Sequence, residues 1–316
     1  MTEIEATAVP QARSLPVALL VAVRPRQWVK NVLVFAAAGA AGLLHEESVV
    51  IDALSAFVCF CLVSAGTYLV NDAGDIERDR RHPTKRDRPI ARGEISRTLA
   101  YGMGVACMLA GSVLGLAVRP QLAVVLVAYL VLTTSYSLYL KHVAVVDIAA
   151  IATGFVLRAV AGGAATDIAI SNWFFIVTCF GSLFVVVGKR HAEAITMADA
   201  GATTRSTLAS YTPTYLSYLR AVSSGVVLVA YCLWSFEKSD LVNASVPWFQ
   251  MTILPFTCAL LRYAQLVDRG EGGAPEDVLL ADRALQILGT VWVATFTLGV
   301  YLSPRRYAER SLRHFS

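Results

Sequence analysis

Charged residues are scarce in this sequence. Asp, Glu, Lys and Arg together make up 16% of its 316 residues, whereas an ordinary soluble domain contains about 25%. Hydrophobic residues make up 56%, and the mean hydropathy is +0.58. Because a soluble protein needs polar side chains to cover its surface, this composition excludes a soluble globule, a disordered chain and a nucleic-acid-binding protein.

Two further features are lacking. None of the 6 cysteines has the spacing of a metal site, and all of them lie within apolar runs, so we expect them to be reduced. A signal-peptide pattern is not found either, since the short apolar run 15–23 precedes the basic residues Arg24 and Arg26 instead of following them. This run is predicted to form a short interfacial helix.

Long apolar runs without any charged residue dominate the rest of the chain, and about 20 apolar residues suffice to cross a bilayer. The long runs are 53–71, 98–118, 120–140, 168–188, 241–261 and 284–304. Two shorter runs, 31–44 and 221–236, and the run 148–166, which is interrupted only by Arg158, complete the set. The predicted fold class is therefore an all-α polytopic membrane protein with about nine transmembrane helices.

The distribution of Lys and Arg predicts the orientation. A cytoplasmic N-terminus places 20 of the 27 Lys and Arg residues inside and only six outside. The exceptions are concentrated in the C-terminal tail, at Arg305, Arg306, Arg310 and Arg313. The predicted organisation is a disordered cytoplasmic tail (1–16), one transmembrane catalytic domain (17–304) and a basic tail (305–316), in the plasma membrane with the active site on the cytoplasmic side.

Three acidic residues lie at the cytoplasmic end of the second predicted span. On a helix, Asp72, Asp75 and Asp79 fall within about 60° of one another. Carboxylates stacked in this way repel unless a cation lies between them, and hard oxygen ligands that also face phosphate suit Mg²⁺. The alternative is a solvated helix end, whose acids are offset by neighbouring arginines.

A basic loop follows these acids directly, at residues 81–93. Pro83 and Pro89 predict a shaped turn rather than a loose connection. Acids that hold a metal and cations that hold phosphate oxygens together make a diphosphate site. The alternative for any one of these cations is ordinary flanking charge on the cytoplasmic side. The cations are Arg81, Lys85, Arg86, Arg88 and Arg92.

The pattern Asn71-x3-Asp75-x3-Asp79, followed by His82-Pro83-x-Lys85-x2-Arg88-Pro89, resembles the UbiA-type intramembrane prenyltransferase superfamily. The resemblance implies nine helices around a cytoplasm-facing cavity, in which Mg²⁺ on the acidic motif holds a diphosphate. Aromatic prenyltransferases of this superfamily carry a second Asp-x3-Asp stretch after the sixth span. Here residues 188–193 contain Lys189 and Arg190 instead, followed by Glu193, which favours a phosphate site without a second metal.

This departure, together with residues 24–31, 158–163 and 210–215, resembles an actinobacterial branch of the superfamily. The branch transfers 5-phosphoribose from 5-phosphoribosyl diphosphate to decaprenyl phosphate, a polyprenyl phosphate, for cell-wall arabinan. The resemblance implies these two substrates and the lipid bilayer as partners, and it leaves a homo-oligomer open. A phosphomonoester, with a second pKa of about 6, is already ionised at pH 7, so no general base is required.

The charge of Arg158 lies in mid-span, which makes it a functional candidate, against the alternative of a structural ion pair. Asp147 shares its helix face but lies ~16 Å away, so each of the two needs another partner. Lys30 and Asn31 are expected either to hold phosphate or to anchor the first span. The predicted catalytic residues are Asp72, Asp75, Asp79, Lys189 and Arg190, and the predicted substrate-binding residues are Lys30, Asn31, Asn71, Arg78, Lys85, Arg86, Arg88, Arg92, Lys141, Asp147, Arg158, Glu193 and Tyr211.

Two other functions compete with this interpretation. The same fold could transfer a polyprenyl group from its diphosphate to an aromatic acceptor, although Lys189 and Arg190 oppose a second metal site. A lipid or anion transporter with a charged vestibule is the other alternative. Against it, the charged residues cluster at one side, and no paired charges follow a path across the membrane.

Overall fold

The structure is a computed structural model that describes residues 13–82, 85–200, 210–242, 246–272 and 275–302. In chain order the α-helices are α1 (Leu15–Ala22), α2 (Ala36–Ala41), α3 (Glu47–Gly74), α4 (Ile76–Arg80), α5 (Arg97–Val118), α6 (Pro120–Leu138), α7 (Val146–Thr166), α8 (Asn172–Ala200), α9 (Pro213–Val242), α10 (Trp248–Met251), α11 (Ile253–Asp268), α12 (Pro275–Ala281) and α13 (Arg283–Leu302). Three 3₁₀ segments, Pro25–Phe35, Lys85–Asp87 and Leu140–His142, join them. The predicted all-α fold class is confirmed, with no strand in the described ranges.

Within the described residues, seven helices are long and apolar enough to cross a membrane, namely α3, α5, α6, α7, α13 and the greater parts of α8 and α9. The two other predicted spans are interrupted. The first is the 3₁₀ segment Pro25–Phe35 followed by the short α2, and the second is divided between α10 and α11. Nine spans therefore stays a prediction. The apolar run 241–261 also has different bounds from the helices, because α9 continues to Val242 and α11 extends to Asp268.

Two helices form the centre of the bundle. Within their most apolar windows, 61% of the residues of α7 and 50% of those of α3 are buried, against 17% in α5 and α6 and 11% in α13. Side chains from α3, α6 and α7 meet in one core, which includes Phe60, Leu126, Tyr129 and Ala161. The outer helices direct their remaining apolar side chains outward, as expected for contact with lipid tails.

Small residues allow the helices of this centre to approach closely. A Cβ atom at Gly66 of α3 would lie 2.5 Å from the carbonyl oxygen of Gly104 in α5, and one at Gly162 of α7 would lie 1.8 Å from the carbonyl oxygen of Val34. Glycine is therefore required where the first 3₁₀ segment crosses α7. This crossing sets the position of Lys30 and Asn31, which the same segment carries.

The short helix predicted for residues 15–23 is confirmed as α1, whose Ala18 and Ala22 pack against α3 and the basic loop. Of the predicted tail 1–16, residues 1–12 lie outside the described residues, while Leu15 and Pro16 belong to α1. The predicted basic tail 305–316, with its four arginines, also lies outside the described residues, as do Pro83 and Thr84 of the basic loop.

Candidate functional site

Two buried carboxylates at the end of α3 and in α4 share a guanidinium group. Asp72 is 6% exposed and Asp79 is 2% exposed. The Nη1 atom of Arg88 lies 3.0 Å from Asp72 Oδ1 and 2.7 Å from Asp79 Oδ2. The Nη2 atom of Arg24 lies 2.6 Å from both carboxylate oxygens of Asp72. We call these four residues the acid–arginine cluster. Buried carboxylates require such partners, because an unpaired buried charge is costly.

The predicted acidic stripe, formed by Asp72, Asp75 and Asp79, assumes one continuous helix. In the structure the helix is interrupted at Asp75. α3 ends at Gly74 and α4 begins at Ile76, with Asp75 between them at φ −98° and ψ 14°. The backbone hydrogen bonds from Asp75 to Asn71 and from Asp79 to Asp75 persist, so the stripe is bent rather than lost. Asp75 itself is half-exposed and pairs with Arg78 at 3.3 Å.

The three aspartates do not form one metal-binding group in the described ranges of the chain. Asp72 and Asp79 are close enough to contact one cationic nitrogen, and their oxygens are the hard donors that Mg²⁺ prefers. A guanidinium nitrogen lies between them, which shows that a positive charge is accommodated at that position. These two residues therefore fit a divalent cation, and the participation of Asp75 stays a prediction.

The basic loop is shaped by its own backbone hydrogen bonds. Arg88 N donates to Lys85 O, Arg92 N donates to Arg88 O, and Glu94 N donates to Pro89 O. Ile90 is buried against α1 and α5, so the loop is packed on the bundle. Arg88 points into the acid–arginine cluster and Arg92 pairs with Glu94 at 3.2 Å, whereas Arg86 is exposed and Lys85 is half-buried.

Arg190 in α8 is held by two acids. It is 6% exposed, its Nη2 atom lies 3.2 Å from Asp147 Oδ2, and its Nη1 atom lies 2.9 Å from Glu193 Oε2. The neighbouring Lys189 is half-buried, with its Nζ atom 4.0 Å from Glu193 Oε1. The structure therefore places Arg190 in a bridge between α7 and α8, and it leaves Lys189 the more accessible of the two cations.

Tyr211, just before α9, completes this bridge. Its hydroxyl donates a hydrogen bond to Asp147 and accepts one from the backbone N–H of Val145 at 2.5 Å. Val145 has a φ of 70°, a left-handed conformation that is costly for a β-branched residue and is held in place here by its neighbours. Burial raises the pKa of the Tyr211 hydroxyl, and the hydrogen bond to Asp147 adds to the effect, so this group remains a donor.

Arg158 lies in the interior of α7 and contacts only neutral groups within the described part of the chain. Its Nε donates to Asn31 Oδ1 at 2.8 Å, its Nη1 to Gly154 O at 2.6 Å and its Nη2 to Tyr129 Oη at 2.9 Å. The expectation that Asp147 and Arg158 have different partners is confirmed. The structural ion pair considered for Arg158 is not found among the described residues.

A cavity of about 170 Å³ opens beside Arg158, and we call it the cationic cavity. Its lining includes Lys30, Tyr68, Tyr129, Tyr136 and Arg158. Lys30 contacts Gln27 Oε1 at 2.5 Å and lies 3.6 Å from Glu276 Oε1. Two cations in a cavity whose other lining residues are uncharged favour an anion as its occupant.

The first 3₁₀ segment joins the acid–arginine cluster to this cavity. With three residues per turn, side chains three positions apart lie on one edge, as Gln27 and Lys30 do, and Arg24 is the residue directly before the segment. Arg24 reaches Asp72 and Lys30 reaches the cavity. Since the 3₁₀ rise is about 2.0 Å per residue, Lys30 lies ~10 Å along the segment from Pro25, the residue that follows Arg24.

Several residues of the site were not among the predicted ones. Arg24, Gln27 and Tyr129 were missed, as was Glu276 in α12. For Arg24 the available signal is its place in the stretch 24–31, which carries the resemblance to the actinobacterial branch but in which only Lys30 and Asn31 are predicted to bind substrate. Of the predicted residues, Asn71 is half-buried at the end of α3, and Lys141 is half-buried in the segment Leu140–His142.

Comparison with known proteins gives one consistent result. Residues 32–301 match the sequence model of the UbiA prenyltransferase family. Decaprenyl-phosphate phosphoribosyltransferase of Corynebacterium glutamicum is 45% identical over 296 residues, which cover 92% of this chain and 89% of that protein. The enzyme of the same name from Mycolicibacterium smegmatis is 42% identical over 311 residues, covering 95% and 98%. A UbiA homologue from Archaeoglobus fulgidus bound to DMAPP and Mg²⁺ has the same fold, with a TM-score of 0.67 at 16% identity over 90% of this chain and 99% of that one.

Proposed function

The chain belongs to the UbiA prenyltransferase family, and we propose that it transfers 5-phosphoribose from 5-phosphoribosyl diphosphate to decaprenyl phosphate and releases diphosphate. It is a multi-pass membrane protein. The names and identities of the two actinobacterial relatives support the reaction. The observation within the structure that carries the proposal is the cationic cavity, where buried Arg158 contacts only neutral partners among the described residues.

The donor diphosphate is proposed to bind at the acid–arginine cluster. Asp72 and Asp79 would hold Mg²⁺, with Asp75 as a further ligand, and the bound ion would neutralise charge on the leaving diphosphate. Arg88 and Arg24 lie close enough to offer guanidinium groups to the same phosphates. The remaining predicted donor ligands are cations and an amide around this cluster: Asn71, Arg78, Lys85, Arg86 and Arg92.

The acceptor phosphate is proposed to bind in the cationic cavity. Lys30 and Arg158 would hold its oxygens, and the polyprenyl chain would leave laterally between apolar helix faces. One phosphate oxygen attacks the anomeric carbon, the new C–O bond forms, and the bond from that carbon to the diphosphate oxygen breaks. The acceptor oxygen is already ionised near pH 7, so no side chain has to remove a proton.

The bridge between α7 and α8 is proposed to position the second half of the site. The three buried residues of this bridge, Asp147, Arg190 and Tyr211, are joined through the carboxylate of Asp147. They therefore orient the start of α7, the helix whose interior carries Arg158. Lys189 is accessible enough to contact substrate. Glu193 and Lys141 are proposed as further substrate-binding residues. Positioning and electrostatics of this kind supply much of the rate enhancement in enzymes.

The site is proposed to face the cytoplasm. Most Lys and Arg residues flank one side of the bundle in the orientation that the positive-inside rule favours. A water-soluble donor with two phosphorylated groups would enter from that side, while the acceptor would arrive through the lipid phase.

Activity of the purified chain in lipid nanodiscs tests the proposal. With 5-phosphoribosyl diphosphate, decaprenyl phosphate and Mg²⁺, we expect release of diphosphate and a lipid-linked phosphoribose. Asp79→Asn should lower the rate by about 100-fold or more, because it weakens the metal site. Glu77→Gln, which alters an exposed acid paired with Arg80, is the matched control. Lack of diphosphate release would overturn the proposal, and prenylation of an aromatic acid from a prenyl diphosphate would favour the alternative reaction.

A further inference from the structure

Arg88 occupies the place where a cation bound by both Asp72 and Asp79 would lie. Its Nη1 atom is 3.0 Å from one carboxylate and 2.7 Å from the other, and Arg24 contacts Asp72 as well. Mg²⁺ needs carboxylate oxygens at about 2.0–2.1 Å. A divalent cation at these oxygens would therefore displace the Nη1 atom of Arg88, and it would be repelled by any guanidinium that stayed.

Asp79 cannot lose the guanidinium of Arg88 without a replacement, whereas Asp72 would keep its contact with Arg24. The side chain of Asp79 is only 3% exposed and that of Asp72 is 7% exposed. Since an unpaired buried charge is strongly destabilising, departure of Arg88 and arrival of a metal ion have to occur together. Arg88 can leave, because it lies on the basic loop and its side chain is 28% exposed.

A bound diphosphate would provide a new binding partner for Arg88. Guanidinium groups bind phosphate oxygens in a bidentate manner, and these charge-assisted hydrogen bonds are stronger than neutral ones. Once Arg88 contacts phosphate, the repulsion between it and the metal is screened by the anion between them. The metal and the diphosphate therefore favour each other's binding at this cluster.

We propose that Arg88, assisted by Arg24, is an internal counter-ion that keeps a free divalent cation out of the Asp72–Asp79 pair and admits it only together with a diphosphate. The proposal rests on the proposed function for the identity of the donor, and it concerns the order of binding rather than the reaction. It makes Arg88 a positioning residue for the metal as well as a ligand of the donor.

Equilibrium dialysis with Mn²⁺ as the metal and inorganic diphosphate as the anion tests this inference on the full chain in detergent micelles. The manganese–diphosphate complex equilibrates across the dialysis membrane, so excess metal in the protein chamber reports the bound fraction. For the wild type, we expect apparent Mn²⁺ affinity to be about tenfold or more weaker without diphosphate than with it. Equal affinity in the two arms would overturn the inference.

Arg88→Gln should weaken the dependence of Mn²⁺ binding on diphosphate. Loss of one positive charge between the carboxylates should strengthen Mn²⁺ binding without diphosphate by about tenfold or more, and the dependence on diphosphate should weaken. Arg97→Gln, which removes an exposed cation at the start of α5, is the matched control and should behave as the wild type. If Arg88→Gln does not fold, Arg24→Gln supplies the same test. A variant that folds without gaining affinity for the free metal contradicts the inference.

A dialysis result that contradicts the counter-ion role of Arg88 can be distinguished from a result that contradicts the proposed function. Neither ribose nor the polyprenyl acceptor is present in the dialysis, so its outcome does not depend on which group is transferred. The protein could bind Mn²⁺ in the expected pattern and yet show no phosphoribosyl transfer. That result would support the counter-ion role of Arg88 and contradict only the proposed reaction.

Discussion

Asp147 at the start of α7 and Arg190 near the end of α8 form a buried ion pair, with 3.2 Å between Asp147 Oδ2 and Arg190 Nη2. The pair joins two neighbouring helices of the bundle, and both side chains are less than a tenth exposed. It also fixes Tyr211, whose hydroxyl bonds to the same carboxylate. The positions of two other predicted site residues, Arg190 and Tyr211, therefore depend on the carboxylate of Asp147.

Asp147→Asn should destabilise the protein. The amide is neutral, so among the described residues Arg190 keeps Glu193 alone as an acid partner, and a buried cation is left partly uncompensated. Breaking a buried pair in this way costs about 3 kcal/mol. Thermal unfolding in detergent measures the effect. The control is Asp167→Asn, which removes an exposed acid that pairs with Arg119 and should cost about 0.5 kcal/mol or less. Equal shifts for the two variants would contradict a structural role for Asp147.

Local spacing predicted the acidic stripe and the basic loop, because both depend on residues close together in the sequence. The pairings of Asp72 with Arg24 and of Asp147 with Arg190 join residues 48 and 43 positions apart, and no periodicity reports such contacts. The run 31–44 was read as a helical span from its apolar composition. In the structure, residues 31–35 are 3₁₀ and residues 36–41 form α2, and Val34 lies against Gly162 of α7, a tertiary contact that composition does not contain.

Tyr211→Phe should also lower stability, by about 1–2 kcal/mol, because the buried carboxylate of Asp147 loses a donor and the N–H of Val145 loses an acceptor. Tyr215→Phe is the matched control, since Tyr215 stacks on Tyr211 at 6.1 Å and this ring contact survives loss of the hydroxyl. Similar shifts for both variants would show that the Tyr211 hydroxyl contributes little.

The stability difference between wild type and Tyr211→Phe should depend on pH. The pKa of Tyr211 is raised above its ordinary value of 10.0 in the folded protein, first by burial. The folded state therefore holds the proton more tightly than the unfolded state, so the stabilisation is fully present below pH 10 and is lost as pH rises further. Melting temperatures of the two proteins between pH 8 and pH 11 measure this. A difference that grows above pH 10 would contradict the assigned hydrogen bond.

Gly162→Ala should displace the first 3₁₀ segment. The added methyl group would lie 1.8 Å from the carbonyl oxygen of Val34, and this backbone contact cannot be relieved by a side-chain rotation. We expect a lower melting temperature and weaker binding of both substrates, since the same segment carries Lys30 and begins directly after Arg24. Gly102→Ala in α5 is the control, because nothing lies within 4 Å of its Cβ position and alanine favours a helix by about 1 kcal/mol. An unchanged melting temperature for Gly162→Ala would refute the close crossing.

Arg158→Met tests whether the cationic cavity holds the acceptor. Methionine fills much of the same volume but removes the charge, so a bound phosphate would lose a charge-assisted hydrogen bond worth about 1.5–3 kcal/mol. We expect the KM for decaprenyl phosphate to rise by about tenfold or more, while the KM for 5-phosphoribosyl diphosphate stays near the wild-type value. Thr133→Val, on the same cavity lining but with its hydroxyl bonded to carbonyl groups of its own helix, is the control and should leave both constants nearly unchanged. An equal rise of both KM values would show that Arg158 supports the whole bundle, and a rise confined to the donor would place the donor phosphate in the cavity.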